Sequence, residues 1–192
     1  PNMPIAQFYK VAVSNRAPFY DLLGGAQDLG TLWGPSRTAT TEGVRNEDWY
    51  FPMGADGYGV QFDPDDPDLV YVMTQQGNLY RADRRSGESL QIQPQPEPGD
   101  PPERWNWDSP ILVSPHDPSR LYFASQRLWR SEDRGYSWQA VSGDLTTGTD
   151  RYTLPFMGRV WELDALHDNG AMSQYATITA VSESPVAADR LY

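Results

Sequence analysis

The sequence contains no cysteine. That absence excludes disulfides, thiolate zinc sites and cysteine nucleophiles together. Histidine is scarce as well, with only His116 and His167. A histidine metal cluster or a Ser-His-Asp triad is therefore poorly supplied, and no metal or cofactor is implied. Positive charge is thin: 15 Lys and Arg stand against 26 Asp and Glu, for a formal net charge of −11. A surface of that sign repels a phosphate backbone, which disfavours nucleic acid as a partner. No apolar run approaches the ~18–20 residues that a helix needs to cross a bilayer, so no membrane span is expected. The chain opens on Pro1 and shows no basic-then-apolar leader.

What is present is unusual. The 192 residues include 7 Trp, 11 Tyr, 16 Gly and 17 Pro. Proline breaks helices and glycine weakens them, so long helices have little room and an all-β fold is expected. The chain also repeats itself. DPDDPDLVY ends at Tyr71, SPHDPSRLY at Tyr122 and SPVAADRLY at Tyr192. Pro64, Pro115 and Pro185 mark one position in the three copies, 51 and 70 residues apart. An alternating or apolar run precedes each copy: YGVQF, SPILV and ATITAV. These read as strands entering a Pro-punctuated turn and returning as a second strand. A weaker copy opens the chain, with FYKVAVS and YDLLGG around NRAP.

The second half of each unit repeats too. GTLWG, GNLYR and RLWRS each place an aromatic directly after Leu, and DWYF, SLQIQ and SWQAV follow as fourth strands. Four short strands per unit of about 50 residues predict propeller blades. The blades are expected near 7–52, 57–93 and 109–142, with a truncated fourth over 176–192. A ring needs about four to eight blades to close. Three blades and a stump predict a piece of a longer protein, with the remaining blades of the same polypeptide as its partner.

The run SEDRGYSW fits Ser-x-Asp-x-Gly-x-x-Trp, with Ser131, Asp133, Gly135 and Trp138 at the fixed positions. Asp133 is placed to accept backbone N–H bonds across the turn between third and fourth strands. Gly135 supplies backbone freedom and Trp138 plugs the blade. A structural clamp rather than a catalytic site is expected here. RADRRSGES, from Arg81, reads as a degraded copy that kept the turn and lost the Trp.

The pattern Ser131–Trp138 looks like an Asp-box, or BNR repeat. With it, the segments 7–36, 48–71 and 105–146 follow one order that resembles the sortilin-like (VPS10-type) BNR propeller proteins of bacteria. Those proteins are often labelled glycosyl hydrolases. Gln27-Asp28-Leu29 stands where relatives often read Gln-Asp-Asn, and the segment from Thr147 to Gln174 follows the pattern loosely. The resemblance implies a ring of seven to ten blades, an extracellular or periplasmic location, and carbohydrate or peptide ligands.

In such a fold the ligand face is built by loops joining second to third strands and by links between blades. They carry Asp28, Asp56, Glu97, Asp100, Glu103, Asp108, Asp144, Asp150, Glu162, Asp164 and Asp168. A glycosidase needs two carboxyl groups about 5–10 Å apart. Asp28 and Asp56, in Gly-flanked turns of adjacent blades, are the leading pair for acid and base; each capping its own turn is the structural alternative. Beside them, Gln27 and the Trp105–Asp108 link are expected ligand contacts. Trp105 is assigned toward a sugar face and Trp107 toward packing, with Asn106 and Asp108 beside them. Of the arginines, Arg104, Arg151 and Arg159 fall on these loops, too few for a sialidase-like carboxylate clamp. His116 lies in a Pro turn and is structural. Two functions follow: a glycoside hydrolase acting in a central cleft, or a non-catalytic propeller that binds peptide or glycan.

Overall fold

The computed structural model describes residues 5–162 and 174–192. Its strands form three antiparallel sheets of four, each a meander in which chain neighbours are sheet neighbours. The first holds β1 (Phe8–Val13), β2 (Asp21–Ala26), β3 (Gly30–Pro35) and β4 (Tyr50–Met53). The second holds β5 (Val60–Phe62), β6 (Leu69–Met73), β7 (Leu79–Asp83) and β8 (Glu88–Gln91). The third holds β9 (Ile111–Val113), β10 (Leu121–Ala124), β11 (Leu128–Ser131) and β12 (Gln139–Ala140). At the chain's end, Ser182 and Tyr192 exchange backbone hydrogen bonds of 3.0 and 2.9 Å, and Glu183 bridges Leu191.

The second strand of each sheet explains how the sheets stack. β6 reads LVYVM, and Val70, Tyr71, Val72 and Met73 are all 0% exposed. Side chains on a strand alternate between faces, so such a run must be covered on both. Val70 and Val72 pack with Leu23 and Trp33 of the first sheet, while Tyr71 and Met73 pack with Leu121 and Phe123 of the third. β10 repeats the division: Tyr122 and Ala124 turn the other way, toward Ile178, Val181 and Leu191 of the last hairpin. The core is thus a series of layers between consecutive sheets. Truncating a fully buried aromatic such as Trp33 or Phe123 would cost about 3–5 kcal/mol.

Among the described residues, one face lacks its layer. Val60 and Phe62 of β5 are 3% and 7% exposed beneath the first sheet, whereas Val11 and Val13 of β1, at the matching positions, are 60% and 62% exposed. The first strands also converge: β5 lies against β1 and β2, and β9 lies against β5.

The Pro turns share one device. A side chain at the end of the first strand caps an amide two residues on: Asp63 Oδ1 takes Asp65 N–H at 2.9 Å, and Ser114 Oγ takes His116 N–H at 3.1 Å. An amide three residues on then closes each turn, from Leu69 to Asp66 O, Arg120 to Asp117 O and Arg190 to Ala187 O. His116 Nε2 meets Ser184 O at 2.7 Å, which ties one such turn to the next.

The turn over Ser131–Trp138 lies at the same end. Asp133 Oδ1 accepts from Ser131 Oγ and from Ser137 N–H, both at 2.8 Å. Ser131 Oγ accepts in turn from Gly135 N–H at 2.8 Å. Gly135 has φ +86°, and a Cβ there would sit 2.5 Å from Ile92 Cδ1, so only glycine fits. Trp138 Nε1 donates to Ile92 O at 2.7 Å, and Arg134 Nε reaches the fully buried Asp63 at 2.7 Å. The turn is therefore a latch between the third sheet and the second.

Candidate functional site

The opposite end carries the β2–β3 and β6–β7 loops and the links between sheets. There Asp28 sits in the left-handed region at φ 58°, which Asp tolerates better than most residues. Its backbone N–H donates to Asp56 Oδ1 at 2.7 Å. The chain can come this close because Gly57 N–H bonds Ala26 O at 3.0 Å, and a Cβ on Gly57 would lie 2.5 Å from Gly30 O. The two loop carboxylates singled out in the sequence are thus neighbours in space.

Their surroundings differ. Asp56 Oδ2 accepts from the Tyr58 hydroxyl at 3.2 Å, so both of its oxygens are engaged. The Tyr58 oxygen in turn accepts from Trp107 Nε1, and the Tyr9 ring stacks on Tyr58 with centroids 4.5 Å apart. Burial, with the Tyr9 and Asp56 contacts, pushes the Tyr58 hydroxyl well above its usual pKa, so it stays a proton donor to Asp56. Asp28, by contrast, is exposed, and its carboxylate has no partner among the described residues. Asp28, Leu29, Phe51, Asp56 and Gln75 line one open depression of about 530 Å³. Gln27 is exposed beside it, with its backbone N–H on Gln7 O at 2.9 Å.

The link from 92 to 110 is more tightly held than its proline content suggests. Trp105 stacks on Phe123 with centroids 4.8 Å apart and covers Gly77, so its ring belongs to the layer between the second and third sheets. Trp107 packs in the same layer. Asn106 Oδ1 accepts from Asp108 N–H at 3.0 Å, and its Nδ2 donates to Thr177 Oγ1 at 2.8 Å. Asp108 pairs with Lys10 of β1 at 2.9 Å, while its Oδ1 is buried without a hydrogen bond in the described structure. That ion pair joins the first sheet to the start of the third.

Glu103 was one loop carboxylate among many in the sequence, yet it is only 7% exposed. One of its oxygens takes Arg127 Nε at 2.8 Å and the other takes Ser125 Oγ at 2.5 Å. An isolated buried charge would be costly, and the Arg127 guanidinium offsets it. Next to it, Arg104 Nε donates to Ala176 O at 3.1 Å and its Nη2 to Asp144 at 2.5 Å. Hydrogen bonds from Thr146, then Arg104, hold the Asp144 carboxyl at about 2. Asp150 caps the Tyr152 amide at 2.9 Å. Asp164, Asp168 and His167 lie outside the described residues.

Chemically, this end offers one free carboxylate beside one that is hydrogen-bonded at both oxygens, with aromatic and amide groups around them. Among the described residues, no group of three or more His, Asp and Glu could hold a metal ion. No family model matches this chain, and no curated protein matches it.

Proposed function

We propose that the three sheets are consecutive blades of a propeller of the sortilin-like Asp-box type, and that their loop end binds a carbohydrate ligand without cleaving it. Two features support the ring. Consecutive sheets share apolar layers while their first strands converge, and the uncovered Val11 and Val13 face is where a further blade of the same polypeptide would sit. The observation that carries the binding reading is the state of Asp56. With one oxygen on the Asp28 amide and the other on Tyr58, it braces the loops and is poorly placed to exchange a proton with a substrate. Asp28, Phe51 and Gln75 remain to contact a sugar. An extracellular or periplasmic location accompanies this reading.

A second reading is glycoside hydrolysis with Asp28 and Asp56 as acid and base, favoured by their meeting in one depression. Screening the chain against a panel of polysaccharides separates the two. Binding with no new reducing ends, weakened in Asp28→Asn, supports the binding module. Hydrolysis that is lost in both Asp28→Asn and Asp56→Asn supports the enzyme instead. Retention of a peptide library with no glycan bound would overturn both.

A further inference from the structure

A second cavity on the loop end, of about 300 Å³, lies between the 148–152 segment and Tyr175. Its chemistry differs from the Asp28 depression. Arg151 is half-buried there, its guanidinium carbon 5.5 Å from the Tyr152 ring centre and 5.6 Å from that of Tyr175. It has no acidic partner among the described residues, in a protein whose acids outnumber its bases. Arg104 lines the same cavity. Its Nε and Nη2 are fixed on Ala176, Asp144 and Thr146, while its Nη1 makes no hydrogen bond in the described structure. Among the described residues, one guanidinium is therefore held in place with a donor to spare, and another is flanked by rings with its donors uncommitted.

From this we infer that the cavity lined by Arg104, Arg151, Tyr152 and Tyr175 binds the carboxylate of an acidic saccharide, a uronate residue in a longer chain. The inference rests on the carbohydrate-binding reading and names the class of sugar. Guanidinium groups match a carboxylate in plane and in spacing, and such charge-assisted bonds are among the stronger ones available at a surface. The two tyrosines, 51% and 52% exposed, offer flat aromatic surface to a pyranose ring. A neutral sugar would leave Arg151 without a counter-charge among the described residues.

The test uses tri-galacturonate and its methyl ester, which differ in charge but share the ring, titrated calorimetrically into the whole chain. The acid should bind at least about tenfold more tightly than the ester, because the ester keeps the ring but forfeits the charge-assisted hydrogen bonds to the guanidinium groups. Arg151→Ala should remove most of that difference and Arg151→Lys only part of it, with unchanged circular dichroism. Raising NaCl from 0.1 to 1 M should weaken the acid and spare the ester. Equal binding of acid and ester, or binding of the acid unaffected by Arg151→Ala, would overturn the inference while leaving carbohydrate binding intact. An acidic peptide bound more tightly than the uronate would overturn it as well. A chain that binds no glycan of any kind would overturn the reading beneath it.

Discussion

Two turns at the same end of neighbouring sheets achieve one shape by different means. The turn after β11 is held by short-range hydrogen bonds among Ser131, Asp133 and Ser137, and it sends Trp138 and Arg134 into the second sheet. The turn after β7 has Ser89 where the other has Trp138. It is held by Arg85, whose guanidinium bonds both Asp83 and Asp66 at 2.7 Å in the open. Both turns are anchored by an arginine amide on the preceding Pro turn, Arg134 to Ser119 O and Arg84 to Asp68 O, each at 2.9 Å. A turn can therefore be closed by local hydrogen bonds and an exposed ion pair, with no buried ring. Latching it to another sheet takes the buried ring and the indole N–H.

The sharpest way to break the contrast is to remove the latch. Trp138→Ala should lower unfolding free energy in urea by about 2–4 kcal/mol, through lost packing on Phe123 and an unpaired Ile92 carbonyl. Ser89→Ala should stay within about 0.5 kcal/mol.

The next pair is Gly135→Ala and Gly87→Ala. Both glycines have positive φ, +86° and +73°, but a Cβ on Gly87 meets nothing within 4 Å, whereas one on Gly135 strikes Ile92. Gly87→Ala should cost only the backbone term, about 1–2 kcal/mol, and Gly135→Ala clearly more in the same melt.

Asp133→Ala should follow at about 1–2 kcal/mol, since it leaves the Ser137 amide and hydroxyl without their acceptor. Asp83→Asn should cost less, and its effect should vanish in 1 M NaCl because its partner lies in solvent.

The smallest effect should be that of acid. Hydrogen bonding to Arg85 holds Asp83 at about 2, while burial raises Asp133 and the bonds from Ser137 and Ser131 outweigh it. A carboxyl lowered on folding stabilises above its unfolded pKa, and that contribution is lost as pH falls through the folded value. The Asp83 share should therefore fade between pH ~4 and about 2. Comparing wild type with Asp83→Asn and Asp133→Asn in acid melts would assign the loss to each turn.

Much of this architecture was readable beforehand because it rests on local chemistry repeated in the chain. The Pro turns, the Leu-aromatic strands and the Ser131–Trp138 motif declare themselves through neighbours in sequence. Strand ends were less legible: β12 keeps only Gln139 and Ala140, although SWQAV reads as a longer strand. The site was legible as an address and not as a wiring diagram. Asp28 and Asp56 could be placed on adjacent loops, but that a backbone N–H of one meets a carboxylate oxygen of the other depends on how closely two glycine-bearing segments approach. Glu103 was hidden for a similar reason. Its partners Ser125, Arg127 and Trp129 are 22 to 26 residues away, and no local spacing marks the pairing.

The ion pair between Lys10 and Asp108 has a practical corollary. Lys10 is the chain's sole lysine, so apart from the chain terminus an amine-reactive reagent has one address. That address is a 2.9 Å contact spanning from the first sheet to the entrance of the third. The acylation rate of a single side chain thus becomes a gauge of whether these two parts of the molecule are still together. It should be slow while the contact holds and quicken in Asp108→Asn without any loss of strand content.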